Sequence, residues 1–106
     1  MVAENDIVTT KARLFIEILK KNGIDVSQAY LFGSASKGLT DKDSDIDLAI
    51  VSKDFNGQPY YDIKKISKYR RSVDLRLEIH PFSFSDIQTS PSLFFNTIKK
   101  EGIRLQ

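Results

Sequence analysis

Two carboxylates separated by one residue, Asp45 and Asp47, open a strongly apolar stretch that runs to Val51. Side chains alternate between the two faces of a strand, so a strand here points both carboxylates the same way, with Cα atoms about 6.5–7 Å apart. Carboxylates this close repel each other unless cations lie between them. A pair of divalent ions about 3.5–4 Å apart would relieve the repulsion and clamp a reacting phosphate. The pattern therefore predicts a strand that carries metal-dependent phosphoryl or nucleotidyl chemistry.

A small-residue turn precedes the acidic pair. Gly33 and Ser34 end a short apolar stretch, and ten residues separate them from Asp45. The backbone N–H groups of such a turn, together with the Ser34 hydroxyl, are suited to holding a phosphate. The turn is not a P-loop, because Leu39 stands where that motif needs its lysine. Lys37 lies in the same turn and is a candidate to assist phosphate binding.

The acidic stretch also imitates a calcium-binding loop over residues 41–52. The sixth position is Ile46 where such a loop needs glycine, and the twelfth is Ser52 where it needs glutamate. Residues 46–51 are moreover too apolar and too prone to form a strand for that loop. We therefore discard the calcium-loop interpretation.

Hydrophobic periodicity predicts alternating helices and strands. The predicted order is helix 7–22 ended by Gly23, strand 29–32, strand 46–51, helix 60–70, strand 73–79 ended by Pro81, and a last helix that Ser90 caps, Pro91 begins and Gly102 ends, with a small strand at 103–105. These elements predict an α/β (α+β) fold in which a small mixed β-sheet is flanked by helices. The length of 106 residues predicts one domain over 1–106.

The strand predicted at 73–79 offers a third carboxylate. Its apolar face alternates with a polar face that carries Asp74, Arg76 and Glu78. Asp74 is the first candidate to join the acidic pair and to act as a general base through a metal ion, with Glu78 as the alternative. His80 follows at the end of the strand and is interpreted as structural, because no partner residue lies near it in the sequence.

Composition narrows the class of protein. The chain has no cysteine and a single histidine, so thiolate metal sites are excluded and one histidine cannot build a zinc site by itself. The acidic start lacks the apolar segment of a signal peptide, and no run is long enough to span a bilayer. A cytoplasmic location with no membrane association is the resulting expectation.

Charge is nearly balanced overall but unevenly distributed. The net charge is +2, and a basic run extends from Lys64 to Arg71. An acidic metal-binding edge facing a cationic wall would suit a triphosphate. A solvated helix face is the simpler interpretation of the run, and nucleic-acid binding is not expected from the net charge.

The spacing Gly33, Ser34, ten residues, Asp45, Ile46, Asp47 resembles the G-S-x10-D-x-D signature of the DNA polymerase β-like nucleotidyltransferase superfamily. The stretch 73–77 is similar to the later strand that carries the third acid in that superfamily. The likeness is to the minimal nucleotidyltransferases, which consist of the catalytic core alone.

The resemblance implies a role for each candidate residue. Asp45 and Asp47 would hold two Mg²⁺ ions, with Mn²⁺ as an alternative metal. Asp74 would complete the site and help deprotonate the acceptor. The β- and γ-phosphates of ATP, or of another nucleoside triphosphate, would bind at Gly33 and Ser34 with help from Lys37.

The resemblance also implies a partner. Minimal nucleotidyltransferases often act with a small helical HEPN protein, and some pairs are toxin and antitoxin, with AMP transferred to a tyrosine of the toxin. The expected function is therefore transfer of AMP to a hydroxyl of such a partner. Two alternatives remain: a non-catalytic antitoxin that neutralises its partner by binding, and a transferase that acts on RNA ends.

Overall fold

The computed structural model describes residues 3–33 and 45–106, with side chains from Ile7 onward. The helices are α1 (Ala3–Lys21), α2 (Pro59–Arg70), α3 (Phe84–Thr89) and α4 (Leu93–Glu101), and the strands are β1 (Gln28–Phe32), β2 (Ile46–Ser52), β3 (Leu77–Ser83) and β4 (Ile103–Arg104). Within the described ranges the four strands form one mixed sheet in the order β3-β2-β1-β4. The expected small mixed sheet with flanking helices is confirmed.

Pairing within the sheet sets the position of the acidic residues. β1 runs antiparallel to both β2 and β4, whereas β3 runs parallel to β2. Helix α2 connects β2 to β3, as parallel neighbours require a crossover connection. The parallel register places each residue of β2 beside the residue 31 positions later in β3, from Ile46 beside Leu77 to Ser52 beside Ser83.

The sheet is covered on both faces. One apolar cluster includes Phe15 and Leu19 of α1, Ile66 of α2 and Leu48 and Ile50 of β2. A second, smaller cluster on the opposite face packs Phe95 and Ile98 of α4 against Tyr30, Ala49 and Val51. Strand β2 is consequently almost entirely buried, which explains its continuous apolar sequence.

The C-terminus of α1 follows the sequence prediction closely. Gly23 has φ +80°, a conformation that glycine adopts without strain. Its N–H donates to the Lys20 carbonyl, and the N–H of Ile24 donates to the Leu19 carbonyl. This is the hydrogen-bond pattern of a Schellman motif, so the predicted helix end at Gly23 is confirmed.

Two predicted boundaries near the C-terminal half are wrong. Pro81 lies inside β3 and does not end it; β3 is an edge strand of the described sheet, where a residue without an N–H donor is tolerated. The predicted Ser90 cap is replaced by Ser92, whose hydroxyl accepts a hydrogen bond from the Phe95 N–H at 3.0 Å. Helix α3 fills the intervening segment and was not predicted.

No helix in the described ranges combines the length and the apolar character that a bilayer crossing requires.

Candidate metal and nucleotidyl-transfer site

Two carboxylates meet where β2 and β3 run side by side. Asp47 of β2 is the register partner of Glu78 of β3, so their side chains lie on the same face of the sheet. His80 follows two residues after Glu78 and shares that face. Its Nε2 atom lies 3.3 Å from Asp47 Oδ1, and one donor atom from each of the three residues lies within 4.8 Å of the other two.

The donor set fits a divalent cation. Two carboxylates and one imidazole supply oxygen and nitrogen ligands, and no other group of three such residues converges in the described part of the chain. Asp47 and His80 are half-buried and Glu78 is exposed, so the cluster is reachable from solvent. An ion bound here would be held by Asp47, Glu78 and His80.

The backbone of Gly33 lies directly against the Asp47 carboxylate. Its φ of +68° brings the backbone so close to Asp47 that a Cβ atom at this position would lie 2.6 Å from Asp47 Oδ2. A residue with a side chain would therefore displace the carboxylate. Of the residues predicted to bind phosphate, Gly33 lies next to the cluster, whereas Ser34 and Lys37 lie outside the described residues.

Asp45 and Asp47 have different environments. Asp45 lies directly ahead of β2 and is exposed, and it does not belong to the group of converging donors found among the described residues. Asp47 lies one residue inside the strand, where pairing with β3 brings it to Glu78 and His80.

The structure places Asp74 apart from the cluster. The strand predicted at 73–79 begins only at Leu77, because Asp74 directs a turn: its Oδ1 accepts the Arg76 N–H at 2.8 Å, and its carbonyl accepts the Leu77 N–H at 3.2 Å. Its carboxylate also pairs with Lys11 of α1 at 2.6 Å and with the Arg76 guanidinium at 3.0 Å.

The electrostatics of Asp74 match this structural role. The side chain is 11% exposed, yet its pKa lies well below the ordinary value. The hydrogen bond from the Arg76 side chain is the largest cause and the bond from Lys11 adds to it, together outweighing the opposing effect of burial. Lys11 and Arg76 thus both engage Asp74, and within the described residues Glu78, the alternative third acid, is the carboxylate in register with Asp47.

His80 is the site residue that sequence reasoning missed. Two aromatic rings contact its imidazole: His80 meets Phe32 edge-on at 4.9 Å and Phe94 at 5.8 Å, measured between ring centroids. These contacts orient the imidazole toward Asp47. The sequence did contain a signal for this position: Glu78 and His80 are two residues apart on one strand, so their side chains share a face.

Comparison with known families assigns the chain to one of them. Residues 15–106 match the family described as "Polymerase beta, Nucleotidyltransferase". The chain belongs to this nucleotidyltransferase family. Membership supports nucleotidyl transfer as its general reaction.

A solved structure shows the same fold as this nucleotidyltransferase. A crystal structure from Sulfolobus solfataricus, provisionally described as a nucleotidyltransferase, superposes with a TM-score of 0.61. The two chains share 17% identity over 80% of this chain and 75% of the other. No curated protein matches the sequence closely enough to serve as a relative.

An open groove adjoins the carboxylates of the nucleotidyltransferase. It has a volume of about 370 Å³, and Glu78 and His80 form part of its wall. The apolar part of the wall includes Ile63 of α2 and the rings of Phe82 and Phe94. The groove is therefore mostly apolar, and Arg70 and Ser67 add to the charged and polar part of its wall.

Proposed function

We propose that this nucleotidyltransferase moves AMP from ATP to a hydroxyl group of a partner protein, in a reaction that requires divalent cations such as Mg²⁺. The observation that carries the proposal is the register between β2 and β3, which pairs Asp47 with Glu78. Asp45, exposed just ahead of β2, is available to extend the ligand set. Two neighbouring carboxylates at a solvent-accessible strand pair are the groups that metal-assisted phosphoryl chemistry uses.

The proposed reaction is one displacement at phosphorus. The acceptor hydroxyl oxygen bonds to the α-phosphorus of ATP while the bond from that phosphorus to the bridging oxygen breaks. Pyrophosphate leaves, and the hydroxyl proton passes to the Glu78 carboxylate. Divalent cations held by Asp47 and Glu78 would neutralise the phosphate charge and make the hydroxyl more acidic.

The groove beside Glu78 supports a side-chain hydroxyl as acceptor. Its volume of about 370 Å³ accommodates an aromatic side chain, and Phe82 and Phe94 offer apolar ring surfaces along its length. A tyrosine entering the groove could place its hydroxyl beside Glu78 and His80, which form part of the wall. A small helical protein of the HEPN type, presenting such a tyrosine, is the proposed partner and would make this chain an antitoxin.

Intact-mass analysis tests the proposal. A helical partner encoded beside this chain is incubated with ATP, Mg²⁺ and either the wild type, Asp47→Asn, Glu78→Gln or Glu101→Gln. Glu101 is an exposed residue at the end of α4 and serves as the control. We expect one adenylyl increment on the partner with the wild type and Glu101→Gln, and a rate reduced about 100-fold or more with the two site variants.

Asp74→Asn identifies the third carboxylate. Because Asp74 is paired with Lys11 and Arg76, this variant should retain the transfer rate per folded molecule. Loss of transfer in Asp74→Asn with full transfer in Glu78→Gln would assign the role to Asp74. Full transfer by Asp47→Asn would refute the catalytic proposal, and a stable complex without any transfer would favour the non-catalytic antitoxin.

A further inference from the structure

The cluster at β2 and β3 is not an all-oxygen site. Asp47 and Glu78 contribute carboxylate oxygens, whereas His80 contributes an imidazole nitrogen. The 3.3 Å between His80 Nε2 and Asp47 Oδ1 is the separation expected of two ligands on one ion. Ligands bound about 2.0–2.2 Å from a metal at right or tetrahedral angles lie about 3.0–3.5 Å apart. Asp47 and His80 therefore already have the spacing of two ligands on one ion, and the Glu78 carboxylate lies within 4.8 Å of both.

The position of His80 is set by the fold. Its backbone is held in the parallel ladder opposite Ala49, and its ring packs edge-on against both Phe32 and Phe94, which also contact each other. Strand pairing and ring packing both restrict the imidazole before any ion binds, so little conformational entropy is lost when Nε2 binds one. Such preorganisation favours a residue acting as a ligand.

The identity of the donors predicts which metals are preferred. Mg²⁺ favours oxygen ligands and retains several waters, so it gains little from a nearby imidazole. Zn²⁺ and Co²⁺ accept imidazole nitrogen readily and bind mixed nitrogen and oxygen sites more tightly. An imidazole at this position therefore shifts affinity toward transition metals.

We propose that Asp47, Glu78 and His80 form a mixed carboxylate–imidazole site in which His80 Nε2 ligates a transition-metal ion, Zn²⁺ or Co²⁺, in preference to Mg²⁺. The proposal deepens the function proposed above and rests on it for its biological role, because the same two carboxylates are assigned to the transfer reaction. Metal binding can nevertheless be measured without any transfer.

The single histidine of the chain makes the direct test simple. Tag-free, ¹⁵N-labelled protein is titrated with Zn²⁺, and the imidazole nitrogens are followed in long-range ¹H–¹⁵N spectra. We expect the Nε2 resonance to move and to saturate at one equivalent of Zn²⁺, whereas Mg²⁺ leaves it near its starting position. Zn²⁺ binding with an unchanged Nε2 resonance would overturn the proposal.

Variants measure the contribution of the nitrogen. His80→Phe retains a ring against Phe32 and Phe94 while removing the nitrogen donor. By calorimetry we expect its Kd for Zn²⁺ and Co²⁺ to rise at least tenfold and its Kd for Mg²⁺ to change less than threefold. Glu101→Gln, which changes an exposed carboxylate outside the converging donors, should match the wild type. A Zn²⁺ Kd within threefold of the wild type in His80→Phe would contradict the assignment of the ligand.

If His80→Phe does not fold, His80→Gln replaces it, and the wild-type spectra test ligation by His80 without any variant.

Two further results distinguish failure of the metal-site proposal from failure of the proposed transfer function. An imidazole response to Zn²⁺ in a protein that transfers no AMP with any metal would refute the transfer function and support the metal site. Transfer with Mg²⁺ and no imidazole response to Zn²⁺ would support the function and refute the metal site.

Discussion

Comparing Gly33→Ala with Gly23→Ala distinguishes two effects of a side chain at Gly33: the strain of a left-handed backbone and the displacement of the Asp47 carboxylate. Gly33 has φ +68°, and an added Cβ would lie 2.6 Å from Asp47 Oδ2. Gly23 is a matched control, because its φ is +80° and a Cβ there would meet nothing within 4 Å. Both alanine variants adopt the left-handed conformation at a cost of about 1–2 kcal/mol, but only Gly33→Ala forces a neighbouring group to move.

The magnitude of that movement follows from the distance. Ordinary van der Waals contact begins near 3.4 Å, so the Asp47 oxygen must retreat by about 0.8 Å, well beyond the about 0.2 Å tolerance of metal–ligand bonds. The carboxylate is the end of a side chain and can rotate away, so the cost falls on the site more than on stability. We expect a Kd for Zn²⁺ at least tenfold higher, about 1.4 kcal/mol of binding free energy.

The assays are urea unfolding and calorimetric titration with Zn²⁺ on the wild type and both variants. The two variants should lose similar stability, about 1–2 kcal/mol each, while Gly23→Ala keeps the wild-type affinity for the metal. Equal metal affinity in Gly33→Ala and the wild type would refute the reasoning. A loss of affinity in Gly23→Ala would show that the effect arises from destabilisation alone.

Two further predictions concern carboxylates that stabilise the fold. Asp74→Asn should lower the free energy of unfolding by about 1–3 kcal/mol at pH 7. Because the pKa of Asp74 is lowered in the folded state, the stabilisation by this carboxylate is complete above the ordinary aspartate pKa of about 3.9 and is lost as the pH falls below it. Urea unfolding at several pH values should show that the difference in unfolding free energy between Asp74→Asn and the wild type narrows below that pKa. A difference that stays constant with pH would contradict the assignment. Asp62 is fully buried and accepts hydrogen bonds from the N–H groups of Asn56 and Gly57. Asp62→Ala should therefore cost about 2–3 kcal/mol in thermal or urea unfolding, and a loss below about 0.5 kcal/mol would show that the loop finds other acceptors.

Local patterns predicted several elements correctly. The end of α1 at Gly23, the apolar strand β2 and the position of α2 all follow from residues close together in the sequence, since helix ends and buried strands depend on local backbone preferences and on burial periodicity. The predicted boundaries of β3 were wrong. The alternation of apolar and polar residues over 73–79 fits a strand, but it also fits the turn in which the Asp74 side chain accepts the Arg76 N–H.

Some features of the candidate site could likewise be predicted from the sequence, and others could not. The spacing from Gly33 to Asp47 was readable as a likeness to a nucleotidyltransferase signature, and the family match agrees with it. The sequence analysis placed Asp74 ahead of Glu78, whereas the structure aligns Glu78 with Asp47 across a parallel pair, and the sequence carries no information about that register. A shift of one residue would reverse the face of every side chain on β3.

The sequence by itself therefore determined the likeness to nucleotidyltransferases, the strand that carries Asp47 and the class of fold, because these depend on residue types at short spacings. Only the tertiary structure decided that Asp74 pairs with Lys11 and Arg76 while Glu78 and His80 face Asp47. The physical reason is that the Lys11–Asp74 ion pair joins residues 63 positions apart and the pairing of Asp47 with Glu78 joins residues 31 positions apart, and local preferences carry no information about such contacts.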